Sequence, residues 1–192
     1  DGSNVIIIEN GDSKKKIKIT RKITIKVPKN ATFKLNTRHS KVKLPKGKVS
    51  GKVSYGVLNV DEMNGGDLDI YYSPVDVKIL RESTLSLNNI TDATIASVIN
   101  TKLLSNSSEL KIKSIGKDVD LTCKFGKLTI EDVNADFQNL SVFLDYSDAI
   151  LPFGSLNANY EVDTEKSSFK ISSKIAKGNT LKKNFFKVLS SY

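Results

Sequence analysis

A self-similar pattern recurs about every eighteen residues, and no other feature of the chain limits its possible folds so tightly. A small residue is followed by two or three apolar residues at alternate positions. Ser40 precedes Val42 and Leu44, Gly56 precedes Leu58 and Val60, and Ser73 precedes Val75, Val77 and Ile79. The same phrase returns at Ser108 with Leu110 and Ile112, Gly126 with Leu128 and Ile130, Ser147 with Ala149 and Leu151, and Ser167 with Phe169 and Ile171. Thr91 with Ala93 and Ile95 is a degenerate copy. The small residues at 40, 56, 73, 91, 108, 126, 147 and 167 are 16 to 21 residues apart. A second alternating segment lies before most of them, as with Leu68 and Ile70 before Ser73, or Leu140, Val142 and Leu144 before Ser147. Each repeat reads strand, tight turn, strand, second turn.

Period-two alternation with β-branched enrichment predicts strands, and the middle of the chain shows no 3.6-residue period of helical length. Two short strands cannot bury an apolar face alone, whereas coils stacked on one another can. The prediction is an all-β, single-domain β-solenoid over 31–173, with about eight short coils of two strands each. An antiparallel β-sandwich is the alternative, because strands at this spacing also suit one. Residues 1–30 carry apolar runs at 5–8, 17–19 and 23–27 and read as a non-repeating strand region that caps the first coil. Residues 174–192 break the pattern and read as a tail or an incomplete last coil, since Val188 to Tyr192 resembles Gly51 to Tyr55.

Charge is segregated along the chain. Residues 14–52 hold 15 of the 30 Lys and Arg and no carboxylate, while 117–165 hold three lysines against ten carboxylates. The longest aliphatic run, Val5-Ile6-Ile7-Ile8, is far too short for a transmembrane helix. The chain opens Asp1-Gly2-Ser3, so a removed signal peptide and a secreted or cell-envelope location are expected. Cys123 is the only cysteine, which excludes an intrachain disulfide and a thiolate metal cluster, and its alternation with Val119, Leu121 and Phe125 places it inward.

Val27-Pro28-Lys29-Asn30-Ala31, followed by Phe33, Leu35 and Val42-Lys43-Leu44-Pro45, resembles the start of a bacterial adhesin-type family of unknown function. The aromatic-small pairs Tyr55-Gly56, Tyr72-Ser73, Phe125-Gly126 and Tyr146-Ser147 carry the same resemblance, which covers about residues 23–173. The resemblance implies an exported envelope protein with a β-helical fold, and it carries over no catalytic residue.

Four features are candidate sites. Lys16, Lys18, Lys22, Lys26, Lys34, Arg38, Lys41 and Lys43, with Lys46, Lys48 and Lys52, form a strip of positive potential. Such a strip attracts anionic polysaccharide, lipopolysaccharide or the acidic stretch of another copy head-to-tail, and is otherwise a solvated, edge-guarding face. Nucleic acid is the weakest candidate, since Phe33 is the only aromatic residue between 14 and 52. Tyr55, Tyr72, Phe125 and Tyr146 share one repeat position, so they form either a structural ladder or a platform for sugar rings. Asp67 with Asp69, and Asp118 with Asp120, lack the further oxygens and turn glycine of a calcium loop. With one histidine and no phosphate loop, metal motif or nucleophile elbow, the chain reads as non-enzymatic, without cofactor or metal; a polysaccharide-cleaving enzyme is the weakest alternative.

Overall fold

The computed structural model describes residues 4–8, 24–28, 31–134, 136–152, 159–172 and 185–191. It contains β1 (Asn4–Ile8), β2 (Ala31–Arg38), β3 (Lys41–Ser54), β4 (Val57–Tyr71), β5 (Val75–Asn88), β6 (Ala93–Asn106) and β7 (Glu109–Lys124). These are followed by β8 (Lys127–Val133), β9 (Asn139–Asp145), β10 (Asp148–Pro152), β11 (Asn159–Glu165), β12 (Ser168–Ser172) and β13 (Phe185–Ser191). Every pairing among them is parallel, and each strand lies on its counterpart in the next coil: β1 to β7 in succession, then β8, β10 and β12 over one half of β7 and β9, β11 and β13 over the other. This topology is a β-solenoid. It excludes the sandwich, whose neighbouring strands would run antiparallel.

The repeat phrase becomes columns of equivalent residues. Leu58, Val75, Ala93, Leu110, Leu128 and Ala149 stand one above another in register, as do Val60, Val77, Ile95, Ile112 and Ile130. Leu68, Leu85, Leu103, Leu121 and Val142 form a third column on the opposite arm. All are buried, so period-two alternation within a coil and identity between coils build one continuous core.

The second turn expected in each repeat is not a break. The strands β3 to β7 run unbroken for 14 to 16 residues, so each coil bends while its ladder continues. At one bend two successive residues leave the core between inward ones, as Lys78 and Ile79 do between buried Val77 and Leu80. At another the backbone enters the left-handed region, at Gly65, Glu82, Asn100 and Lys117.

A third corner closes the coil. His39, Tyr55, Tyr72, Asn89, Ser107, Phe125, Tyr146 and Lys166 all have φ between 45° and 56°. Those eight positions delimit seven complete turns. A left-handed residue with a β-carbon costs roughly 1–2 kcal/mol. The conformation is held because the corner N–H reaches the next coil: Tyr55 donates to the Tyr71 carbonyl and Tyr72 to that of Asn88, at 3.0 and 3.1 Å.

The residue after each corner explains the small-residue signal. Ser73 Oγ accepts from Gly56 N–H at 2.9 Å and donates to the Tyr71 carbonyl at 2.8 Å. Ser108 does the same with Ile90 N–H and the Asn106 carbonyl, and Ser147 with Gly126 N–H and the Asp145 carbonyl. Each hydroxyl thus ties its own coil to the preceding one. Glycine stands in the serine position at 56, where a β-carbon would lie 2.0 Å from the Ser40 carbonyl oxygen.

One coil is offset from expectation. The position after the corner belongs to Ile90, whose N–H meets Ser108 as Gly56 N–H meets Ser73, and not to Thr91. Ile90 is buried, and one extra residue separates it from Ala93. At the two ends, β1 stacks on β2, and β13 stacks on β11 with Val188 in the column of Gly51.

Candidate functional site: the basic coil and the aromatic corner

Lys16, Lys18 and Lys22 lie outside the described residues. The remaining basic candidates, Lys26, Lys34, Arg38, Lys41 and Lys43, are all exposed. They do not share one face. Lys41 and Lys43 follow the corner at His39, while Lys34, Arg38 and Lys52 lie on the arm that approaches a corner. Lys46 and Lys48 sit between, so the charge encircles the first coils. A coil that bends three times turns sequence neighbours outward in different directions.

Some of this charge is engaged. Lys46 pairs with Glu62 at 3.0 Å, Lys52 Nζ lies 4.4 Å from the Tyr71 ring centroid, and Arg38 stacks over Tyr55 at 5.2 Å. Lys34, Lys41, Lys43 and Lys48 contact no carboxylate at ion-pair distance among the described residues.

The four aromatic candidates do stand in one column, about half-exposed, but in two separate stacks. Tyr55 and Tyr72 are 5.0 Å apart and 6° from parallel, and His39 adds a ring 5.4 Å below Tyr55. Phe125 and Tyr146 are 5.3 Å apart at 18°. Lys166 ends the second stack: its ammonium donates to the Tyr146 hydroxyl at 2.6 Å, a bond that holds its pKa above the ordinary lysine value. Within each stack the ring faces cover one another, so a sugar cannot lie on them there. His39 was legible as a ladder member, because it precedes Ser40 just as Tyr55 precedes Gly56.

A depression of about 260 Å³ lies on the side that follows the corners at 89, 107 and 125. Thr91, Asp92, Thr94, Glu109, Lys111, Lys127 and Thr129 line it, and Lys111 is tied to Glu131 at 2.7 Å. Nothing in the repeat pattern announces this hollow beyond the extra residue beside Ile90.

No family model, curated protein or solved structure matches the chain. Nothing is similar enough to lend it a role. Site chemistry therefore has to come from the surface itself.

The carboxylate pairs are dispersed rather than convergent. Asp69 stands in register beside Lys52 and Asp120 beside Lys102, while Asp118 accepts from the Asn139 amide. Among the described residues no three His, Cys, Asp or Glu side chains converge as metal ligands, and no helix is long and apolar enough to cross a membrane. Cys123 is buried beneath Ser147, and burial pushes its thiol pKa up.

Proposed function

We propose that the chain is a non-enzymatic, adhesin-like repeat module, exported to the cell envelope, that holds an anionic glycan against its basic first coils. The observation that carries this reading is the ring of exposed Lys34, Lys41, Lys43 and Lys48, without an ion-pair partner among the described residues, in a stretch of chain without a single carboxylate. A local excess of charge of one sign raises the local concentration of a polyanion, and the backbone beneath is held rigid by parallel pairing on both sides. Polysaccharide and lipopolysaccharide phosphate offer the same repeated negative charge.

Heparin serves as the probe, with dextran as the uncharged control, each at low and high salt. Lys34→Glu, Lys41→Glu, Lys43→Glu and Lys48→Glu together should abolish heparin binding, and salt should weaken binding to the unaltered chain. Unchanged affinity in the four-fold variant overturns the proposal. Oligomers that dissolve in salt, with no heparin binding, would instead show the basic coils meeting the acidic 117–165 stretch of a second copy.

A further inference from the structure

The aromatic column has a gap of two rungs. Tyr72 ends one stack and Phe125 begins the other; between them the corner residues are Asn89 and Ser107, both exposed. The backbone does not change across the gap. Tyr72 N–H donates to Asn88, Asn89 N–H to Asn106, and Ser107 N–H to Lys124, at 3.1, 3.0 and 2.8 Å. Three inter-coil steps therefore separate the Tyr72 and Phe125 corners, about 14 Å at ordinary strand spacing. Tyr55 covers one face of Tyr72 and Tyr146 covers one face of Phe125. The opposite faces look along the solenoid axis at each other across the gap.

We infer that this gap is a binding site for the rings of an uncharged glycan, a site separate from the basic coils and resting on different residues. Stacked rings prefer centroid spacings of about 5 Å, so about 14 Å between two ring walls accepts two ring-sized guests. A pyranose suits such walls because its C–H face packs on an aromatic face while its hydroxyls point to the rim. Polar groups stand ready to meet those hydroxyls: Asn89 and Ser107 occupy the exposed corners between the walls, and the hollow that begins two residues further along each coil offers Asp92 and Glu109 as acceptors and Lys111 and Lys127 as donors. Opposed charges there nearly balance, which favours a neutral ligand. Purely aromatic guests, such as side chains of a second copy, would cover Asn89 and Ser107 without answering their amide and hydroxyl.

The gap can be filled without disturbing the coil, because the same left-handed corner already carries Tyr55, Tyr72, Phe125 and Tyr146. Asn89→Phe with Ser107→Phe completes the ladder; Tyr72→Ala and Phe125→Ala each remove a wall. Cellohexaose and chitohexaose are titrated into the full chain and followed by calorimetry and by tyrosine fluorescence, with heparin binding measured in parallel. Saturable binding is expected, lost on filling the gap and weakened about two- to tenfold by removing either wall. Heparin binding should stay intact in all of these variants, so failure of the basic-coil reading and failure of this one are separately visible. Binding that survives the filled gap overturns the inference, as does no binding of either hexasaccharide. A dimer that dissolves when the gap is filled, without sugar binding, would also overturn it and make the gap a socket for a second copy.

Discussion

Removing a single hydroxyl at a corner should destabilise the solenoid far more than the loss of one small side chain suggests. Ser73→Ala deletes an acceptor for Gly56 N–H and a donor to the Tyr71 carbonyl, both within 2.9 Å of an oxygen that sits in a 1% exposed residue. Two ordinary hydrogen bonds contribute about 1–3 kcal/mol net, and orphaning the Gly56 N–H between two coils pushes the loss toward the upper end. A cost of about 2 kcal/mol lowers Tm by roughly 4–8 °C in a chain of this length. Ser108→Ala should match it, since Ile90 N–H loses the same partner. The opposite sign is expected at Thr37, a 4% exposed residue whose Oγ1 has no hydrogen-bond partner among the described residues. Thr37→Val relieves a buried, unanswered hydroxyl and should leave stability unchanged or raise it by about 1 kcal/mol. Urea unfolding with a common m-value measures all three, and amide exchange at Gly56 and Ile90 reports the lost acceptor locally. If Ser73→Ala shifts stability by less than about 0.5 kcal/mol with Gly56 exchange unchanged, the staple argument is wrong.

Two further outcomes follow from electrostatics. The hydrogen bond from Lys78 holds the Asp61 carboxyl below its ordinary range, with the ammonium charge adding to the effect. A depressed carboxylate contributes stability above its unfolded pKa and loses it as pH falls through the lower folded value. Lys78→Met should return the Asp61 titration, followed by carboxyl NMR, to the usual carboxylate range, and an unmoved titration would refute the pairing. Burial raises the Cys123 thiol, so a disulfide reagent at neutral pH should label it only in denaturant; rapid labelling of the native chain would contradict its placement.

The sequence showed what is local or repeated, and concealed what depends on which coil lies next. Alternation marked Leu58, Val60, Leu68 and Ile70 as inward, and all four are core. The corner serines were visible as small residues, but their hydroxyl chemistry spans 17 to 21 positions and appears only once the coils are stacked. The same dependence misplaced, at Thr91, the residue that follows the corner. An isoleucine in a column of serine and glycine hides the register, which the hydrogen bond from Ile90 to Ser108 then reveals. Lys34 and Lys43 looked like neighbours on one strip because alternation says nothing of bends, and each coil carries three, two of them within an unbroken strand. The aromatic column was legible as a column. That its rings face one another, leaving only two inward-looking walls, was not, because ring orientation depends on the rung below.

The left-handed corner separates what the coil requires from what it shows. The fold uses the corner's backbone angle and its N–H, and both are the same under His39, Asn89, Phe125 and Tyr146. The side chain is left free to vary, so the eight corners behave as an alphabet printed along a ruler with one mark every 5 Å or so. A change of letter rewrites the surface without touching the type beneath. Inserting or deleting a whole coil would lengthen or shorten the text by one character, since each coil contacts only its neighbours. Selection acting on such a chain can tune the width of a recognition slot in single fixed increments, a freedom that a fold with an indivisible core does not have.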